Sequence, residues 1–184
     1  MTISKHNKWL IEFGSKHRIF RKRGEKYDVL EFQRYDYTAS QIEKISLVIK
    51  ENLTDDLISK DVKDKYPPND TRWNYPCFGH CVPATFSLLY LMDSFELQPV
   101  RGKDASGEGH WWLQDVHSKY KYDLTHEQFS TQKELEDVYD TGRPSGYYGF
   151  GQMPASRFLD LIQKVQPKSK RWITDNYQET LTSS

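Results

Sequence analysis

The feature that most constrains this chain is the run CVPATFSLLYLMDSF, residues 81–95. Pro83 fits a first helical turn, where its missing N–H costs no hydrogen bond. The run predicts a helix that is apolar nearly all round. Such a helix has no face to offer water, so the rest of the chain has to be built around it. With 184 residues, one domain can do that without disulfide staples. Hydrophobic residues make up only 36% of the chain, but 14% is aromatic, with 12 Tyr and 5 Trp. The core around the helix is therefore expected to be aromatic-rich beneath a heavily charged surface.

The charge balance narrows the partners. The 26 basic and 26 acidic residues cancel, which gives no reason to expect nucleic acid or an anionic membrane. Only Cys77 and Cys81 are present, too few and too close for a secreted disulfide scaffold. No apolar run approaches the ~18 residues of a membrane span. The start, MTISKHNKWLIEFG, lacks the apolar stretch and small-residue cleavage site of a secretory leader. The expectation is a cytoplasmic protein without a membrane partner.

Along the chain, residues 1–36 form a basic, aromatic N-terminal extension, with Ile19 to Phe32 reading as two short strands around Gly24. The cluster His17, Arg18, Arg21, Lys22 and Arg23 reads as solvated surface rather than a phosphate contact, because acidic residues follow at once. The main domain is expected over 37–166. It should hold a helix at 39–50, capped by Ser40 with Glu43 three residues later, and with an apolar face of Ile42, Ile45, Leu47, Val48 and Ile49. A second helix is expected from Thr54 to Tyr66, stopped by Pro67 and Pro68. After the loop 67–80 and the 81–95 helix, residues 100–109 read as a mobile loop. Segments 110–116 and 119–124 read as a hairpin, 131–140 as a helix, Gly142 to Pro154 as a Gly/Tyr-rich loop, and 155–165 as a last helix. Residues 167–184 are expected to be a partly disordered tail.

Three residues suggest chemistry. Cys81 opens the buried helix, where backbone N–H dipoles favour a thiolate, and Gly79 allows a tight approach turn. His110 starts a strand beside a Gly-rich loop, a place that holds a base firmly at the edge of a cleft. If the hairpin turns through His117 and Ser118, cross-strand partners place His110, Trp112, Asp123 and Thr125 on one face and Asp115 on the other. Asp123 can then hold the His110 tautomer. Taken singly, a structural cysteine, an edge histidine and a turn-capping aspartate explain each residue as well. An oxyanion hole would use the Cys81 N–H and one more donor, Asn74 or His80. Trp73, Trp112, Tyr147 and Tyr148 are candidates to line the cleft, which residues 142–151 would wall and residues 101–109 would cover as a lid.

The order of Cys at a helix start, His at a strand start and acid on the adjoining strand resembles the triads of papain-like and transglutaminase-like folds. The segments Gly79-His80-Cys81, His110-Trp111-Trp112 and Asp123-Leu124-Thr125-His126-Glu127-Gln128-Phe129 resemble the YunG-like family of small bacterial proteins over roughly residues 40–165. His80 stands where that pattern has Gln, and the His strand reads His-Trp-Trp. The resemblance implies an α+β, papain-like (NlpC-like or transglutaminase-like) single domain, with the Cys81 helix packed on an antiparallel sheet. It also implies a triad, and it names no substrate.

A zinc site built from Cys77, Cys81, His110, His117 and His126 fails on spacing, since Cys-x3-Cys is not a knuckle and no second pair follows. PCFGHC carries one residue too many for a zinc-deaminase motif, and no His-x-Glu precedes it. The expectation is thus a cysteine hydrolase or acyl transferase needing no cofactor or metal and acting on a peptide or other amide through a thioester on Cys81. The alternative is a non-catalytic binding module with an aromatic cleft around the same residues.

Overall fold

The structure is a computed structural model that describes residues 2–4, 7–13, 16–23, 26–94, 96–145, 156–166 and 170–174. Its elements run β1 (Thr2–Ser4), β2 (Asn7–Phe13), β3 (Lys16–Arg23), β4 (Lys26–Phe32), β5 (Tyr35–Asp36) and α1 (Ala39–Glu51). Then come α2 (Lys60–Lys65), α3 (Cys81–Leu91), β6 (Met92–Asp93), β7 (Leu97–Lys103), β8 (Gly109–Asp115) and β9 (Lys121–Tyr122). The last are α4 (Gln132–Asp140), β10 (Arg143–Pro144), α5 (Ser156–Val165) and β11 (Lys170–Thr174). The architecture is mixed α+β, with an antiparallel sheet in the order β10-β7-β8-β9.

The apolar run does form the central helix, α3, in which every residue from Pro83 to Leu91 is buried. It lies between α1 and α5 on one side and β8 on the other. Phe86 stacks on Phe158 of α5, with ring centroids 5.4 Å apart, and packs at the same 5.4 Å distance against Trp111 of β8. Leu88 and Leu91 are fully buried. Each such side chain contributes on the order of 1.5–3 kcal/mol. The Thr85 and Ser87 hydroxyls in this helix donate to carbonyls of its neighbours, Thr85 to Trp111 O at 2.9 Å and Ser87 to Phe158 O at 3.5 Å. The helix stops at Leu91 rather than residue 95, because Met92 and Asp93 extend to pair in parallel with β5.

Other boundaries shift for local reasons. α1 is capped by Thr38, whose hydroxyl accepts from Gln41 N at 3.2 Å, two residues before the expected Ser40. Its buried face is Ile42, Ile45 and Ile49, whereas Leu47 is 57% exposed. Residues 54–66 do not form one helix. Leu57, fully buried, belongs to a 3-10 turn, and Ser59 then takes an extended conformation and caps the short α2.

The expected mobile loop at 100–109 is instead half strand. β7 pairs with β8 from Leu97↔Asp115 to Lys103↔Gly109, so Gly102 lies opposite His110. Only residues 104–108 turn, and Asp104 fastens them by accepting from Ser106 N, Ser106 Oγ and Glu108 N at 2.7–2.9 Å. Lys65 of α2 ties down Glu108 from outside. Both ends of the segment expected as a lid are thus held in the β7–β8 ladder.

At the N-terminus, the two strands expected around Gly24 are β3 and β4, paired from His17↔Phe32 to Arg23↔Lys26. They belong to an antiparallel sheet in the order β1-β2-β3-β4-β11. The C-terminal segment thus supplies a strand, with Arg171 opposite Leu30. Phe32 reaches the main core, and Gln33 and Gln166 exchange two hydrogen bonds at 3.1 and 2.8 Å. Among the described residues, no helix is long and apolar enough to cross a membrane.

Candidate active site

Cys81 is the first residue of α3, and its side chain is 8% exposed with Sγ 4.0 Å from Gly109 O. The chain reaches it through Gly79 at φ +78°, where a Cβ would sit 3.1 Å from Ile58. Helical bonding begins with Ala84 N to His80 O at 3.0 Å, so the Cys81 and Val82 N–H groups precede it and Pro83 has none. Cys77 lies in the same turn at φ 64°, half-buried, with Sγ 4.0 Å from Glu127 Oε2. Burial, then the Glu127 carboxylate, pushes the Cys77 thiol above its ordinary value.

His110 and Asp123 meet. Nε2 of His110 lies 2.6 Å from Oδ2 of Asp123, and both side chains are 3% exposed. Asp123 Oδ1 accepts from Thr125 N at 2.9 Å and Thr125 Oγ1 at 3.3 Å, and Tyr139 OH donates to Oδ2 at 3.0 Å. The His110 ring is held between Trp112, centroids 5.9 Å apart and nearly parallel, and the edge of Phe129 at 4.8 Å. Burial alone would lower the His110 pKa. The Asp123 carboxylate and the neighbouring Cys81 thiol outweigh burial and raise it. Asp123 moves the other way: burial raises it, but the His110 bond prevails and holds it low. Tyr139 is pushed up by burial and then by Asp123, so its hydroxyl keeps its proton.

The hairpin that creates this meeting is wider than expected. It turns through residues 116–119, with Asp115 N bonded to Tyr120 O at 2.9 Å. Asp115, on the opposite face, closes the turn by accepting from His117 N and Ser118 N, and Lys119 takes φ 61°. A four-residue turn has the same parity as a two-residue one, so Leu113↔Tyr122 and Gln114↔Lys121 keep the expected register. The ladder ends at Tyr122, and Asp123 reaches His110 from just beyond it rather than as a pair of Trp112.

Other expected site residues fall elsewhere. Trp112 is 1% exposed and packs with Val100, Val138 and Tyr139, so it backs His110 instead of lining a cleft. Trp73 lies edge-on to Phe78 at 5.1 Å, and its indole N–H donates to Pro67 O at 2.9 Å, which stiffens the loop before the cysteines. Asn74 is exposed at the end of a 3-10 turn. His80 is 5% exposed, with Nε2 3.1 Å from Thr54 O. A carbonyl only accepts, so Nε2 carries a proton and gives it to Thr54 O, while Nδ1 is buried without a hydrogen-bond partner. Tyr147 and Tyr148, and most of the proposed 142–151 wall, lie outside the described residues.

Two residues escaped the sequence reading as site members. Gln128 donates from Nε2 to His110 Nδ1 and to Thr125 O, both at 2.9 Å. It lies inside the Asp123–Phe129 motif, and that was its signal. Tyr139 arrives from α4 with no spacing cue. Tyr139 and Asp123 also edge a groove of 670 Å3 between α1 and the β9 segment, together with Leu47, Tyr120 and Tyr122.

Compared with family models, curated proteins and solved structures, the chain matches none.

Proposed function

We propose that this protein is a cysteine-dependent hydrolase or acyl transferase that acts on an amide bond through a thioester on Cys81. The observation that carries this reading is the buried 2.6 Å His110–Asp123 pair beside a cysteine that opens a helix. Nε2 of His110 is committed to Asp123, so Nδ1 is the nitrogen that takes the Cys81 proton. Sγ then bonds to the substrate carbonyl carbon, and the developing oxyanion is met by the Cys81 and Val82 N–H groups at the α3 terminus. Val82 thus replaces Asn74 and His80 as the second donor. The C–N bond breaks as Nδ1 returns its proton to the leaving amine. Water, or an acceptor amine, then gives a proton to Nδ1 and cleaves the thioester, which restores the thiol. The reading keeps the YunG-like resemblance and a papain-like layout as its framework. It expects a peptide, glutamine side chain or peptidoglycan-type amide as substrate, and a cytoplasmic setting.

The binding-module reading is favoured by one feature: the 670 Å3 groove meets Asp123 and Tyr139 but not Cys81. Labelling with an electrophilic thiol probe, mapped by mass spectrometry, separates the two. The hydrolase reading expects the adduct on Cys81, lost in Cys81→Ser, with Cys77 scarcely modified. An unreactive Cys81 gives the lead to the binding module.

A further inference from the structure

Gln128 presents one amide nitrogen to two acceptors, Thr125 O and His110 Nδ1, each 2.9 Å away. Thr125 O fixes the sense of that amide. Reversing it would set the Gln128 oxygen against a carbonyl oxygen, two acceptors face to face. With the nitrogen so placed, an N–H of Gln128 points at His110 Nδ1, which can receive it only with its lone pair bare. The other ring nitrogen then carries the proton and donates it to Asp123.

We propose that Gln128 is a positioning residue that holds His110 with its proton on Nε2 and its Nδ1 lone pair bare. This state is the one a base needs in order to take a proton from Cys81 through Nδ1. The inference rests on the hydrolase reading for that consequence, but not for the tautomer itself. It sets two influences against each other. Asp123 and Cys81 favour the charged ring, as does Tyr139 insofar as its hydroxyl supports the Asp123 carboxylate. A ring protonated at Nδ1 would confront the Gln128 N–H, donor against donor, so Gln128 opposes the charged form. Phe129, Trp112 and Gly102 complete the surround without charge. Gln128 therefore sits where Cys81 must deliver its proton, and its amide has to yield Nδ1 for the transfer to occur.

The test is long-range 1H–15N NMR of the full chain with 15N-labelled histidine, titrated with pH, with His110 assigned by its loss in His110→Ala. The neutral His110 of the wild type is expected to carry its proton on Nε2. Gln128→Leu removes the opposing donor and should raise the titration midpoint, increasing proton affinity roughly threefold or more. Gln128→Glu replaces it with an acceptor and should raise affinity about tenfold or more. A neutral His110 protonated on Nδ1 overturns the proposal, as do midpoints in both variants at or below the wild type. If neither variant folds, the wild-type tautomer decides alone. A Cys81 that resists the thiol probe, alongside the expected tautomer, would sink the hydrolase reading and leave this one standing.

Discussion

Asp123 receives His110 Nε2, Thr125 N, Thr125 Oγ1 and Tyr139 OH within 3.3 Å, all in a nearly dry setting. Removing one partner of such a pair strands the other. Asp123→Ala should therefore cost about 3–5 kcal/mol in urea unfolding at neutral pH, and a loss below about 1 kcal/mol would mean that the pair is not buried in solution. Tyr139→Phe deletes one neutral donor and should cost about 1 kcal/mol while leaving the His110–Asp123 bond in place. At this scale much of the site was legible. Cys81 announced itself by opening an apolar run, and hairpin parity put His110 and Asp123 on one face. Where the oxyanion candidates direct their protons was not legible, because residue type alone does not reveal hydrogen-bond polarity. His80 looks like a donor until Thr54 O is seen to claim its proton.

The elements that hold the site depend on one close approach. Gly102 of β7 faces α4, and a Cβ there would lie 2.3 Å from Val138 O and 3.0 Å from the Trp112 ring. Backbone cannot give way as a side chain can, so Gly102→Ala has to push α4 outward. We expect a loss of about 1–3 kcal/mol, read as a lower Tm, with weakening of the Tyr139–Asp123 contact. An unchanged Tm would show that α4 is not seated as described. The same glycine explains why β7 read as a loop: VRGKDASGEG has no clean alternation, and its glycines imitate a flexible tether. Pairing with β8, not local propensity, makes the strand. α1 was legible because its apolar periodicity is local, although its cap is Thr38 and not Ser40, and the central helix was legible from its apolar run.

At the scale of the whole molecule, the buried pair links stability to pH. His110 is raised in the folded state, so its contribution is complete below the ordinary histidine range and is lost as pH rises through the raised value. Asp123 is lowered, so its contribution is complete above the ordinary carboxylate range and is lost as pH falls through the lowered value. The pair should stabilise the fold most between about pH 4 and 6.5 and less on either side. The difference in unfolding free energy between wild type and Asp123→Asn across pH measures this, and a flat difference would contradict it. A buried central helix could be read from pattern, whereas the α+β class came with the family resemblance. The N-terminal sheet closed by β11 could not, since it joins segments some 140 residues apart, and no local signal encodes that pairing.

The central claim is that His110 activates Cys81, and the rate of iodoacetamide alkylation of each cysteine as a function of pH tests it most directly. At pH ~6, Cys81 is predicted to react at least tenfold faster than Cys77, whose thiol is disfavoured by burial and Glu127. His110→Ala should slow Cys81 and leave Cys77 unchanged. Equal, slow labelling of both cysteines in the wild type, or a fast Cys81 indifferent to His110→Ala, would contradict the account.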